Sequence, residues 1–292
     1  MSAACEALRY RPDEIIVIPG EEDASSLLHL VCLNVPGFEG AGLVQDMQGR
    51  IDDISAAGGL AIIAHPSTLG FYSQPETRAL KNYTGMEINS AQDLAQWDAL
   101  LAERISQGEP LLWGFLSNDT NNEAEFADGL LMLRSPALSL ESVVASLKQG
   151  SFYWSTGLSI ADIGVSGQKI TVRLNEKAGI RFIASGGRVV QETSGTTGSY
   201  EAAGDEGYVR VEIDSASGKM AGTQPFRVQN GTVFNPYATG GTWYRGNLHT
   251  HSTGEGGPAP REEVVKLYRQ NGYDFIAVTD AVPWYYSAGS MV

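Results

Sequence analysis

The chain is poor in the residues on which several function classes depend. Its 292 residues include two cysteines, Cys5 and Cys32, too few for a disulfide framework or a four-thiolate zinc site. Basic residues number 20 against 34 acidic ones, a formal charge of −14. A nucleic acid or an anionic membrane surface needs a basic face, so neither is expected as a partner. No apolar run reaches the roughly 20 residues a spanning helix needs. The opening MSAACEALRYRPDE has no basic stretch followed by an apolar one, so no signal peptide is expected. The sequence reads as that of a soluble protein, with its compartment undetermined. Histidine is scarce as well: His29, His65, His249 and His251 are the four present, and any imidazole metal site must draw on them.

What is present suits a globular chain rich in turns. Hydrophobic residues make up 42%, charged residues 18%, and there are 34 glycines, a mix that excludes a disordered chain or a coiled coil. Over residues 1–150 strand-like and helix-like segments alternate. Apolar, β-branched runs fall at 14–19, 29–35, 60–64, 85–88 and 111–116. A polar stretch running through Ser55 is consistent with a helix. Leu94, Trp97, Leu100, Leu101 and Ile105 recur at helical spacing and stop at Gly108, and a further helix is expected over 139–149 with Ser139 as its cap. Over 151–229 helical periodicity vanishes. Short alternating runs are separated by turn signals such as ASGG, TSGTTGS and AAGDEG, predicting a small β-sandwich of roughly 75 residues. Residues 230–242 read as a Gly-, Thr- and Asn-containing connector. From 243 the α/β pattern resumes, with strands at 246–252 and 275–279 around a helix at 260–271. Strands alternating with helices imply a parallel sheet or barrel.

The polar residues gather where such a fold places its site, at strand ends. His65 follows LAIIA, His29 opens HLVCLNV, and His249 and His251 form H-T-H, whose two-residue spacing puts both rings on one face of a strand. Glu21 and Glu22 follow EIIVIPG, Glu87 lies in GMEI, Asp119 follows LLWGFLSN, and Asp280 follows FIAVT. Each alone has an ordinary explanation: a packed imidazole, a turn carboxylate, an Asx-turn at Asp119. Together, imidazoles and carboxylates at strand ends form a donor set suited to transition metals.

These motifs resemble those of the PHP (polymerase and histidinol phosphatase) superfamily, most of all its CehA/McbA-like metal-dependent phosphoesterases. WYRGNLHTHS followed by a helix and DFIAVTD is similar to the family's opening. IPGEE, HLVCLNV, GGLAIIAHP, GMEI and WGFLSND are similar to its later motifs, so the resemblance covers nearly the whole chain. The order differs, since H-x-H comes first in the family and last here. The resemblance therefore implies an α/β fold: a distorted seven-stranded (β/α) PHP barrel, circularly permuted. Residues 1–150 would form its main part, 151–229 an attached all-β sandwich, 230–242 the connector and 243–292 the family's first strand–helix–strand segment. A swapped homodimer is the rival explanation of the order.

The resemblance also implies the ligands. His249, His251, Glu22 and Asp119 match one metal site, and Glu22, His29 and His65 a second that shares the glutamate. The family's third site falls on Gly256 (or Glu255), Ala281 and Asn121, which lack its histidines. The expected cofactors are two divalent transition-metal ions, zinc, manganese or iron. The expected activity is hydrolysis of a small-molecule ester, most directly a phosphoester, by a metal-bridging hydroxide. Asp280 and Glu87 would support a ligand or the attacking water. Arg134 is the candidate phosphate contact and Trp284 and Tyr285 the candidate substrate contacts, with ion-pair or packing roles as the alternatives. Carbamate or aryl-ester hydrolysis at the same site, and a metal-binding module without turnover, are the competing functions.

Overall fold

The computed structural model describes residues 15–24, 28–35, 46–68, 78–119, 129–253 and 257–283. In chain order the elements are β1 (Ile16–Ile18), β2 (Gly20–Ala24), β3 (Leu30–Leu33), α1 (Met47–Ala56), β4 (Leu60–Ile63), β5 (Gly85–Glu87), α2 (Ala91–Ser106), β6 (Trp113–Phe115), β7 (Leu130–Ser135) and α3 (Leu140–Lys148). Then follow β8 (Phe152–Ser155), β9 (Ile160–Ser166), β10 (Lys169–Ala184), β11 (Arg188–Glu201), β12 (Gly207–Ser215), β13 (Met220–Thr223), β14 (Phe226–Gln229) and β15 (Thr232–Val233). The last are β16 (Thr242–Asn247), α4 (Arg261–Gln270), β17 (Phe275–Ala277) and β18 (Ala281–Pro283).

The expected helices form, two of them with serine caps, of which Ser139 was expected. Ser90 caps α2 by accepting the Asp93 N–H at 3.1 Å, and Ser139 caps α3 by accepting the Ser142 N–H at 3.2 Å. Gly150 ends α3 with φ +72°, and the ring of Trp113 lies 2.6 Å from where a Cβ would be, so both backbone and packing require glycine there.

The expected barrel does not form. Eighteen strands stand against four α-helices among the described residues, and the strands form two mixed sheets rather than a helix-ringed parallel barrel. One sheet has twelve strands, with the path β1-β17-β16-β7-β8-β13-β12-β10-β11; β9 joins β10, β14 joins β12, and β15 joins β14. The other runs β18-β2-β3-β4-β5-β6. The reason lies partly in the connections. Only five residues separate β2 from β3, whereas a parallel crossover needs a dozen or more, so these strands pair antiparallel. β3–β4, β16–β7 and β7–β8 are antiparallel too. The strands of 151–229 are likewise no separate sandwich, because β8 and β13 bond them into the sheet that holds β7 and β16. The final segment docks on the first: β17 lies parallel between β1 and β16, and β18 lies parallel to β2. Met1 and Val292, whose proximity would test the permutation, lie outside the described residues.

Several strands were hidden from the sequence. TSGTTGS, a turn by composition, lies inside β11, where Gly198 leaves room for Ile180 and Phe182 of β10 to pack across. The expected connector contains β15 and the buried Tyr237, whose hydroxyl donates to Phe152 O at 2.9 Å and accepts the Gln224 N–H at 2.8 Å.

A buried polar clamp ties the β-rich region to α2 and β6. Arg210 of β12, 2% exposed, donates to both oxygens of Asp98 at 2.8 and 2.6 Å and to Glu212 at 2.6 Å. Tyr208 donates to Asp98 at 2.5 Å. The Gln224 side chain pairs with both backbone groups of Gly114, at 2.9 and 2.8 Å, as a neighbouring strand would. Removing one partner of a buried pair leaves an uncompensated charge. Asp98→Ala is therefore expected to lower the unfolding free energy by about 3–5 kcal/mol, read from urea denaturation; a change under about 1 kcal/mol would show that the clamp carries no weight.

Candidate metal centre

The centre is assembled along one edge of the six-stranded sheet. β3 runs antiparallel to β4, so the residue before β3 lies beside the residues after β4. This brings His29 and His65 together, with ring centroids 5.0 Å apart. Glu87 ends β5, and Asp119 lies beyond β6. Glu22 points in from β2, while the neighbouring Glu21 and Asp23 are held on that strand by Arg50 of α1, at 3.3 and 2.7 Å.

The other sheet contributes H-T-H from just past the end of β16. The histidines are not in the strand, as their spacing suggested, but in the segment that follows it. Asn247 Oδ1 accepts the His249 N–H at 2.9 Å. Between the rings, Thr250 is fixed to Thr279, its N–H donating to Oγ1 at 3.3 Å and its carbonyl accepting the Thr279 N–H at 2.9 Å. Both imidazoles thus face the sheet edge, 5.2 Å apart.

Glu22, 4% exposed, lies between the two histidine pairs and divides its oxygens between them. Oε1 is 2.8 Å from His29 Nδ1 and 3.0 Å from His65 Nε2. Oε2 is 3.5 Å from both His249 Nε2 and His251 Nε2. Asp119 Oδ1 closes the second group, 3.3 Å from His249 Nε2 and 3.0 Å from His251 Nε2. Three sets of donors each converge within 4.8 Å: Glu22, His249 and His251; Glu22, His29 and His65; His65, Asp119 and His249. His249 Nε2 is buried and faces two carboxylates, Glu22 at 3.5 Å and Asp119 at 3.3 Å, as a ligand nitrogen would. The residues therefore fit two ions sharing one carboxylate.

Glu87, 1% exposed, braces both halves. Its Oε1 lies 2.7 Å from His249 Nδ1 and accepts the Ser117 hydroxyl at 2.5 Å; its Oε2 accepts the His65 backbone N–H at 2.7 Å. That last bond holds a strained residue, since His65 has φ +23° and precedes Pro66. Asp119 is left-handed as well, at φ +43°. Backbone strain of about 1–3 kcal/mol at each is the kind that persists where surrounding contacts over-determine a site.

The electrostatics follow from burial among opposite charges. Burial pushes the Glu22 carboxyl up, but bonds to His249, His29 and His65 outweigh it and hold it well below its ordinary 4.5. Asp119 is lowered in the same way by the His251 bond and the charges of His249, His65 and His251. Burial pulls His249 down, yet the charge of Glu87 and bonds to Glu22 and Glu87 raise it well above 6.5. His65 is raised against burial by the Glu22 bond and the charges of Glu87 and Glu22.

Not every expected residue is here. Both oxygens of Asp280 are engaged by Ser252, by its N–H at 2.6 Å and its hydroxyl at 2.9 Å, so Asp280 steadies the segment after His251 rather than meeting the cluster. Arg134 pairs across from Trp243, six residues before His249. Along β16 that position is four residues, about 13 Å, from the strand's end, and the Arg134 guanidinium sits 5.7 Å from the Trp243 ring, in keeping with a packing role. Trp284 and Tyr285 lie outside the described residues, as do Asn121, Glu255 and Gly256. Ala281 stands in register with Glu22. Ser117, Asn247, Thr250 and Arg50 were missed; the first three had a signal in lying within or beside the motifs, Asn247 in N-L-H, Thr250 in H-T-H and Ser117 in S-N-D, whereas Arg50, in α1, had none.

Glu87→Gln is expected to weaken zinc binding about 10- to 100-fold, measured by competition with a chelator of known affinity; unchanged affinity would remove Glu87 from its bracing role. The pH dependence has opposite signs with and without metal. The raised His249 and His65 stabilise the metal-free fold fully below 6.5 and lose that as pH rises through their folded values. The lowered Glu22 and Asp119 stabilise it above 4.5 and 3.8, and lose that as pH falls through theirs. Chelator-treated protein should melt highest between about pH 5 and 6.5, whereas zinc affinity should climb with pH because the metal displaces those protons. Thermal melts from pH 4 to 9 (about that range), with proton release by calorimetry in buffers of different ionisation enthalpy, check both.

No family model, curated protein or solved structure matches the chain.

Proposed function

We propose that the chain is a metal-dependent hydrolase that cleaves a small-molecule ester, a phosphoester before others, with a pair of divalent transition-metal ions. The observation that carries this is the division of the Glu22 oxygens between two histidine pairs, with Asp119 completing one of them. Glu22, His249, His251 and Asp119 would hold one ion, and Glu22, His29 and His65 the other. Zinc, manganese and iron all suit this mixed donor set. Bound there, the pair supplies Lewis acidity toward a phosphoryl or acyl oxygen and makes water more acidic.

The chain's own residues orient and insulate. Glu87 holds His249 by Nδ1, leaving Nε2 to face the centre. Asp280 steadies the segment carrying His251 through Ser252. Cys32 is no rival nucleophile, because it is buried and burial pushes its thiol far up. The motifs H-T-H, PGEE, AHP and S-N-D, similar to those of PHP-domain phosphoesterases, are the ones whose residues converge here, which supports the same chemistry on a mixed-sheet frame.

One observation favours a second reading, a metal-binding module without turnover. Ala281, beside Glu22, offers only a methyl where the family implied a third-site histidine. The two readings part on one experiment. Protein loaded with zinc, manganese or iron is assayed on an aryl phosphate, an aryl carboxylic ester and a carbamate. Turnover of one of them, falling to background in His249→Ala, is expected. Two ions held per chain with no turnover on any of the three would decide for the module.

A further inference from the structure

We infer that the two halves of this centre are unequal: the half formed by His249, His251, Asp119 and Glu22 retains its ion, while the half formed by Glu22, His29 and His65 exchanges its ion and is the side at which substrate enters. The inference rests on the two-ion reading above. Its first ground is donor number. Four side chains converge on one half and three on the other, and a site with three protein donors keeps a position open.

Burial points the same way. The His249 and His251 side chains are 0% and 7% exposed, against 25% for His29 and 15% for His65. Asp119, at 30%, is the one half-buried donor of the retaining half. A third ground is how firmly the rings are held. His249 is fixed at Nδ1 by Glu87 and at its backbone by Asn247, and Thr250 beside it is tied to Thr279. Among the described residues, the His29 ring bonds to Glu22 alone. A ligand that must be ordered when its ion binds yields a weaker and faster-exchanging site than one already in place.

The test uses the full chain loaded with zinc and labelled with nitrogen-15 in histidine, whose four rings give a spectrum simple enough to assign. Zinc is withdrawn with a chelator while release and ring signals are followed together. Two phases are expected, differing in rate by about tenfold or more. The fast phase should move the signals of His29 and His65, the slow phase those of His249 and His251. His29→Ala should bind one zinc and keep the slow phase. A single phase, a fast phase that moves His249 and His251, or a His29→Ala protein that still holds two ions would overturn the inference and leave the two-ion reading standing. Wild-type protein that takes up fewer than two zinc ions would overturn both.

Discussion

A carboxylate taken out of water must find its charge matched, and Glu22 is matched by four imidazoles. At 4% exposure it has little access to solvent. Its stability as an anion depends on His29 and His65 at one oxygen and His249 and His251 at the other. That requirement constrains the rest of the molecule. The first pair comes from the sheet that contains β2, the second from the far end of β16 in the other sheet, so the two sheets must meet at this point. A divalent ion on each side would answer the same electrostatic demand, displacing the protons that otherwise occupy those lone pairs.

Around this charge the frame is made rigid by further buried polar groups. Arg50 holds Glu21 and Asp23 on β2, the strand that carries Glu22, and Glu87 fixes His249 by its ring and His65 by its backbone. Left-handed backbone at His65 and Asp119 is tolerated because neighbouring contacts determine both positions. Farther out, Asp98, Arg210 and Glu212 join a helix to the β-rich region with every charge paired. Such arrangements add little to stability compared with apolar packing, but they permit few alternative geometries.

The site was far more legible in the sequence than the fold. Histidine is scarce in this chain, and each of the four lay at the edge of an apolar run, so His29, His65, His249 and His251 stood out by position, whereas Glu22 and Asp119 were singled out from 34 acidic residues as ligands only through the resemblance to PHP motifs. The architecture was not legible because alternating strands and helices suggest parallel crossovers without fixing strand direction. The antiparallel pairing of β7 with β16 depends on contacts between distant parts of the chain, and the short link that makes β2 and β3 antiparallel shows only once their ends are known. TSGTTGS fails in a related way. Its residues favour turns locally, and only the large side chains of the neighbouring β10 make small ones useful there. Arg134, a candidate contact with an ion-pair or packing role as its alternative, shows the same limit: a basic residue near apolar sequence carries no information about how far along a strand the site lies.

One short strand shows how closely the regions depend on each other. Along β8, Phe152 and Trp154 enter the core beneath the six-stranded sheet, while Tyr153 between them enters the core of the β-rich region. Each face of a four-residue segment is thus committed to a different interior. The strand therefore couples the packing of the two interiors, and a change in its position would be felt on both sides.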